Sequence, residues 1–272
     1  VPSPSDEQGM LTAQIVPYGK DQRLAIIRDI TREIKLERMR RDFVANASHE
    51  LRSPLTVIGG YLDALAEDEA MPPTWRGPIA EMQRQAERMT RILRDLIELS
   101  RLESSDRTDS DEVVDVPRML ELIAGEFQSL GCERPAVTLE LESDASLLGN
   151  ESELHSIFYN LVNNAVRFTP PTGTVKVAWR EDDEGAVFEV TDTGIGIPEE
   201  QIPRITERFY RVDPGRSRAS GGTGLGLAIV KHALQRHDGT LQIRSLEGHG
   251  STFTCRFPSE RLVSRTAVAE AV

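Results

Sequence analysis

His49 sits between Ser48 and Glu50 in a stretch whose apolar residues recur every three or four positions. At roughly 100° per residue it falls about 170° from the mean direction of that apolar stripe, so the expected place of His49 is the solvent face of a helix. Ser53 follows one turn later on nearly the same face, with Glu50 on the flank. An exposed imidazole of ordinary pKa is largely neutral near pH 7 and keeps a lone pair able to attack phosphorus. Glu50 can accept the hydrogen of the other ring nitrogen, fixing the tautomer and stabilising the developing charge. Taken alone, an exposed His beside Glu is more often surface decoration. Pro54, five residues on, costs about 3 kcal/mol in an ordinary helix interior and suggests a local bend with a purpose. A zinc-protease reading fails because position 53, where a second His is needed, is Ser.

A second set of residues suits a nucleotide. Asn160 and Asn164 stand at i and i+4 of an expected helix, hence on one face, and amide oxygens are suitable neutral ligands for a Mg²⁺ that carries phosphate oxygens and water. Solvated or capping Asn would look the same by itself. Asp192-Thr193-Gly194-Ile195-Gly196-Ile197 follows an expected strand, where a carboxylate can accept from an exocyclic base amine and glycines let the backbone approach a flat ring. Gly221, Gly222, Thr223, Gly224, Leu225 and Gly226 then run into a helix, an arrangement that leaves amides free for phosphate. Between the glycine elements, Thr206 to Arg211 with Arg216 and Arg218 reads as a lid whose Arg side chains reach phosphates, a basic surface loop being the competing reading. No expected strand precedes Gly221 and no Gly-Lys-Ser/Thr ends the run, which disfavours a dinucleotide fold and a P-loop.

These residues need elements to hold them. Leu11 to Val16 and Arg23 to Arg28 read as two strands about a turn at Pro17, Tyr18 and Gly19. From Thr31 an apolar stripe runs Leu36, Met39, Phe43, Ala47, Leu51, Leu55, Ile58, Leu62, Leu65 along one long helix. After Pro72-Pro73 a second helix carries Ile79, Met82, Ala86, Met89, Leu93 and Leu96. Two single-seam helices bury more surface as a dimeric four-helix bundle than as a lone hairpin. A polar segment, Glu103 to Asp111, reads as a linker. Beyond it, helices at Val116 to Leu130, Glu151 to Arg167 and Gly226 to His237 alternate with strands at Val137 to Leu141, Thr174 to Arg180, Val187 to Asp192, Thr240 to Ser245 and Ser251 to Phe257, which suggests an α+β sandwich with a mostly antiparallel sheet. The expected division is 1–30, 31–104, a linker 105–111, 112–260 and a tail 261–272.

Bulk properties set bounds. The 272 residues suit about two domains, and 39% hydrophobic with 28% charged residues is a globular balance. A net charge of −12 argues against wide nucleic-acid contact. Cys132 and Cys255 are too far apart for a metal spacing, and a reducing compartment is the simpler assumption. No run is long and apolar enough for a bilayer.

In order, Phe43 to Thr56 resembles the H box of sensor histidine kinases, Asn160 to Thr169 their N box, Asp192 to Ile197 the G1 box, Glu207 to Arg211 the F box and Gly222 to Leu227 the G2 box. The resemblance covers about Thr31 to Pro258, is closest to phosphate-regulon (PhoR-type) sensor kinases around the H box, and makes the opening strands similar to the end of a PAS domain. It implies a multidomain protein: an all-α dimerisation and phosphotransfer hairpin joined to an ATP-binding α/β sandwich. His49 would be the phosphoacceptor, Glu50 its acid/base partner, Asn160 and Asn164 the Mg²⁺ and phosphate ligands, and Asp192 the adenine contact. Arg167, Arg211, Thr223 and Leu225 would belong to the ATP site, with Gly194, Gly196, Gly222, Gly224 and Gly226 shaping it. Arg167 stands where the family usually has Lys, which keeps the charge and changes its geometry. Ser53 replaces the usual Thr, which puts dephosphorylation of the partner in doubt and leaves the kinase reaction little affected. The implied cofactors are ATP and Mg²⁺, the partners a second copy and a response regulator, and the setting the cytoplasmic portion of a protein anchored in the bacterial inner membrane by an upstream segment. A nucleotide-binding scaffold without kinase activity and a gyrase-type ATPase remain the alternatives, the latter needing a Glu where position 160 is Asn.

Overall fold

A computed structural model describes residues 10–18, 22–68, 70–103, 111–129, 134–212 and 222–263, with side chains left out for most positions of 33–49. Strands β1 (Leu11–Tyr18) and β2 (Gln22–Asp29) pair antiparallel. Pro17 and Tyr18 belong to β1, opposite Arg23 and Gln22, and not to the expected turn, whose Gly19 lies outside the described residues. Pro17 is tolerated because a two-stranded ribbon has only edge strands, where a missing N–H costs no ladder bond.

Helix α1 (Thr31–Glu67) and helix α2 (Pro73–Leu102) form an antiparallel hairpin. Thr31 N–H donates to Asp29 Oδ1 at 2.9 Å at the start of α1, and α2 begins with Pro73 in its first turn, where a missing N–H is harmless. Helix α1 runs unbroken through Pro54. Gln83 Nε2 of α2 donates to Asp63 Oδ1 of α1 at 2.8 Å, which sets the register of the hairpin. Glu103 closes α2 as its C-cap instead of opening a linker.

The remainder is an α/β unit. Helix α3 (Val116–Gln128) is capped by Asp115, whose side chain accepts from Arg118 N–H, and α4 (Glu151–Phe168) by Asn150, which accepts from Glu153 N–H. Helix α3 stops at Gln128, short of the expected Leu130. Helix α5 (Gly226–Arg236) has no side-chain cap at its N-terminus. Strands β4 (Ala136–Leu141), β6 (Thr174–Asp182), β7 (Gly185–Asp192), β9 (Gly250–Pro258) and β8 (Thr240–Leu246) form one sheet in the order β4-β6-β7-β9-β8. All its pairs are antiparallel except β4 with β6, which are parallel and joined through α4. Burial alternates along β9 as period-2 packing requires. Trp179, Phe158, Phe188 and Phe257 fill the space between sheet and helices with tilted and edge-on rings 4.5 to 6.4 Å apart. Cys255 is buried in this core, which pushes its thiol pKa up; Cys132 lies outside the described residues.

A second small sheet, β10-β5-β3, is built from Glu112–Val114 (β3), Ser146–Gly149 (β5) and Leu262–Val263 (β10). None of these strands was expected from the sequence, since two to four residues are too few to display a period. They draw part of the expected tail into the fold. Arg261 holds the joint, donating to Asp111 at 2.6 Å and to Asp238 at 2.8 Å.

Candidate functional site

Strand β7 ends at Asp192, where the sheet stops and the chain turns toward the carboxyl end of α4. The Asp192 side chain is buried and its Oδ1 accepts from Gly194 N–H at 2.8 Å. Burial raises its pKa, opposed by the N–H bonds from Gly194 and Ser251. Ile195, Ile197, Ile205, Leu227 and Phe253 stand around it as apolar walls. A single buried acceptor among apolar groups suits a flat heterocycle that presents one amine.

Helix α4 supplies the next set. Asn160, Asn164 and Arg167 line the same cavity as Asp192, a space of about 540 Å³. Asn160 Nδ2 donates to Ser156 O at 2.8 Å, which leaves its Oδ1 as the free end. A Cβ placed on Gly226 would lie 2.6 Å from that Oδ1, and one on Gly222 would lie 2.7 Å from Arg167 Nη2. Glycine at these two positions therefore lets the loop close on α4. Thr223 Oγ1 accepts from Leu225 N–H at 3.2 Å, and Gly224 O accepts from Phe209 N–H at 2.9 Å, tying the 207–211 segment to the glycine loop. Gly196 and Arg211 complete the lining named so far. Gly226 and Leu227, the first residues of α5, line this space, and the helix start has no side-chain cap, an arrangement that favours an anion. The Arg167 guanidinium is pulled down to about 10, first by burial and then by the positive charges of Arg211 and Arg91, and it remains a cation near neutral pH.

Asn160, Asn164, Arg167, Asp192, Gly196, Arg211, Gly222, Thr223, Gly224 and Gly226 thus line one cavity; Gly194 and Leu225 do not, Gly194 acting through its N–H on Asp192 and Leu225 being fully buried in the core, while Gly221, Arg216 and Arg218 lie outside the described residues. Glu50 and Ser53 are exposed on α1. His49 is within α1, and its expected exposure lies outside the described side chains. The hairpin register brings the level of His49 to about residue 97 of α2.

The sequence reading missed the fourth wall. Helix α2 contributes Arg91, Arg94, Asp95 and Glu98 to the cavity. Asp95 hydrogen-bonds Thr223 and Glu98 hydrogen-bonds Ser156; burial raises both carboxylates, the bonds opposing it. Further along, Glu103 pairs with Arg208 and approaches His232 Nε2 at 3.5 Å, and burial holds that imidazole's pKa down. Leu99 and Leu102 enter the main core. On an isolated helix these charged positions are solvated, and only the docking of α2 through Leu99 and Leu102 brings them to the cavity.

Two family models match the chain: "His Kinase A (phospho-acceptor) domain" over residues 39–105 and "Histidine kinase-, DNA gyrase B-, and HSP90-like ATPase" over residues 149–261. The chain is 48% identical over 259 residues to the phosphate regulon sensor protein PhoR of Pseudomonas aeruginosa, covering 94% of this chain and 58% of that protein. It is 36% identical over 249 residues to the sensor histidine kinase WalK of Bacillus subtilis, covering 89% of this chain and 40% of that one. The chain therefore spans little more than half the length of the first and less than half of the second. Among solved structures, full-length ShkA in complex with AMPPNP superposes with a TM-score of 0.65 at 27% identity, over 80% of this chain and 45% of that one. The Acinetobacter baumannii histidine kinase AdeS, at 22% identity and a TM-score of 0.54, covers 78% of this chain and 98% of its own and shares the fold. No described helix is long and apolar enough to cross a membrane.

Proposed function

The chain belongs to the sensor histidine kinases, and from that premise we propose that it transfers the γ-phosphoryl group of ATP to His49 and then to an aspartate of a response regulator. The observation that carries this reading is the convergence of Asp192, the amide face of α4 and the uncapped start of α5 on one cavity, closed by the second helix of the very hairpin that bears His49.

Asp192 accepts from the adenine amine, with Ile195, Ile197 and Phe253 against the ring. The α5 amides, Arg167 and Arg211 take the phosphate oxygens. Mg²⁺ fits the donor chemistry: Asn160 Oδ1, left free by the bond of its Nδ2 to Ser156 O, and the Asn164 amide would offer neutral oxygens beside the nucleotide's own. When bound, Mg²⁺ neutralises charge on the phosphates. A ring nitrogen of His49 attacks the γ-phosphorus in line, the P–N bond forms as the bond to the β–γ bridging oxygen breaks, and ADP departs. Glu50, exposed one residue on, accepts the hydrogen of the other ring nitrogen. Ser53 lies one turn from His49, where its hydroxyl can orient water on the phosphorylated partner. The apolar rows left exposed on α1 and α2 support a homodimer. The relatives are longer than this chain, which supports a longer whole protein.

A hydrolytic ATPase is less well supported, because the Asn160 amide, bonded to Ser156 O, is no general base. Incubation with γ-labelled ATP and Mg²⁺ should give an acid-labile, alkali-stable phosphoprotein. Full labelling of His49→Ala would overturn the assignment.

A further inference from the structure

A second recess of about 330 Å³ adjoins the nucleotide cavity, and the two share Arg91, Asn163 and Arg167 as lining residues. Arg134 and Thr169 complete its polar lining, and no carboxylate is among the lining residues. Three guanidinium groups around a small polar space attract an anion with several oxygens, since each planar fork can donate two hydrogen bonds. The main cavity differs at its α2 wall, where Asp95 and Glu98 stand beside Arg91 and Arg94, so the recess is the part of the site lined by cations without carboxylates.

Arg91 is the unexpected member, because it belongs to the hairpin and not to the α/β unit. Its side chain is exposed, and its charge acts on Asp95 one turn along α2 as well as on Arg167. It is close enough to Arg167 to help lower that group's pKa, a repulsion that an anion between the two would relieve. Arg91 lies six positions before the level of His49 on α2, or about 9 Å along the helix axis at 1.5 Å per residue. That is about the reach of one long side chain plus a phosphate.

We propose that Arg91 binds the terminal phosphoryl group of ATP, so that the hairpin carrying the acceptor also supplies a cation to the group it will receive. This deepens the kinase reading and rests on it. A nucleotide lacking that phosphoryl does not reach Arg91. Docking of α2 then discriminates ATP from ADP, and release of ADP after transfer loses no contact at this residue.

The test compares Mg²⁺-dependent binding of AMPPNP and ADP by calorimetry in the wild-type chain, Arg91→Ala, Arg91→Lys and Arg84→Ala. Arg84 sits on the same helix in an exposed pair with Glu81, remote from both cavities, and controls for loss of a positive charge. Arg91→Ala should weaken AMPPNP about tenfold, roughly the effect of one charged hydrogen-bond pair, with ADP within about twofold of wild type. Arg91→Lys should recover part of the loss, and Arg84→Ala should bind both nucleotides as wild type does. Equal weakening of both nucleotides, no weakening of either, or the same pattern in Arg84→Ala would overturn the proposal. A wild-type chain that binds neither nucleotide would overturn the kinase reading beneath it, whereas wild-type binding with an indifferent Arg91→Ala sinks only the role of Arg91.

Discussion

Trp179, Phe158, Phe188 and Phe257 pack ring against ring in the main core, which also takes in Leu99 and Leu102 of α2, whereas among the described residues the hairpin's separate core cluster consists of Leu62, Ile79 and Ala86. The difference lies in which surfaces remain. On α1, Leu51, Ile58 and Leu65 are spaced seven apart and about half exposed, at 51%, 47% and 46%, and on α2 Met82 and Met89 form a matching row. Seven-residue spacing is the seam of packed helices, so this row suits contact with other helices, while the exposed apolar residues of the α/β unit, such as Leu122 and Leu246, form no such row. The α/β unit supplies Asp192, α4 and the start of α5 to the nucleotide cavity but takes its last wall from α2, so on the proposed reading each part needs the other for His49 to be used.

The largest expected effect lies in the complete core. Trp179→Ala should destabilise the α/β unit by about 3–5 kcal/mol, because a fully buried indole is replaced by a cavity. Denaturant melts that instead show a loss below ~1 kcal/mol would mean the core is not as closed as described. Opening the exposed seam should act on assembly. Leu51→Glu with Ile58→Glu should convert a dimer to a monomer in sedimentation while nucleotide affinity stays within about twofold; an unchanged dimer would place the interface elsewhere. At the loop that closes on α4, Gly226→Ala should weaken nucleotide binding about tenfold through the crowding of Asn160 Oδ1, and unaltered affinity would show that the loop yields freely.

The smallest expected effect is a pH dependence confined to the α/β unit. His237 Nε2 accepts from Asn150 N–H at 3.1 Å and its Nδ1 lies 2.8 Å from Ala233 O, an arrangement that needs the neutral ring. Burial lowers its pKa from 6.5, opposed by the Ala233 bond and by Glu153. Because the unfolded chain binds the proton more readily, stability from this group is full above about pH 6.5 and falls as pH drops toward the lower folded value. The melting temperature should drop between about pH 7.5 and pH 5.5 by a few degrees, and His237→Gln should flatten that slope. A slope of the same size in the variant would assign it to other groups.

Much of this architecture is legible in the order of residues. The stripe from Leu36 to Leu65 foretells α1, the Pro72-Pro73 break foretells the start of α2, and the Asn pair, Asp192 and the glycine run are separately recognisable before any contact is known. What escapes is made by distant pairing. Strands β3, β5 and β10 exist because Leu147 finds Val114 on one side and Leu262 on the other, contacts that no local pattern announces. Asp95, Glu98 and Arg91 escaped for the same reason: on an isolated helix they are solvated charges, and they line the cavity only because Leu99 and Leu102 bury α2 against the α/β unit. Glu103 was misread as linker because its acidity was weighed without Arg208.

The account stands on phosphoryl transfer from the nucleotide cavity to the hairpin, and peptide mapping after incubation with γ-labelled ATP tests it most directly. The expected result is a single acid-labile label on the peptide containing His49, absent in His49→Gln and absent when the label is in the α position. Label on a different residue, or phosphate release at the full rate from His49→Gln without any phosphoprotein, would contradict it.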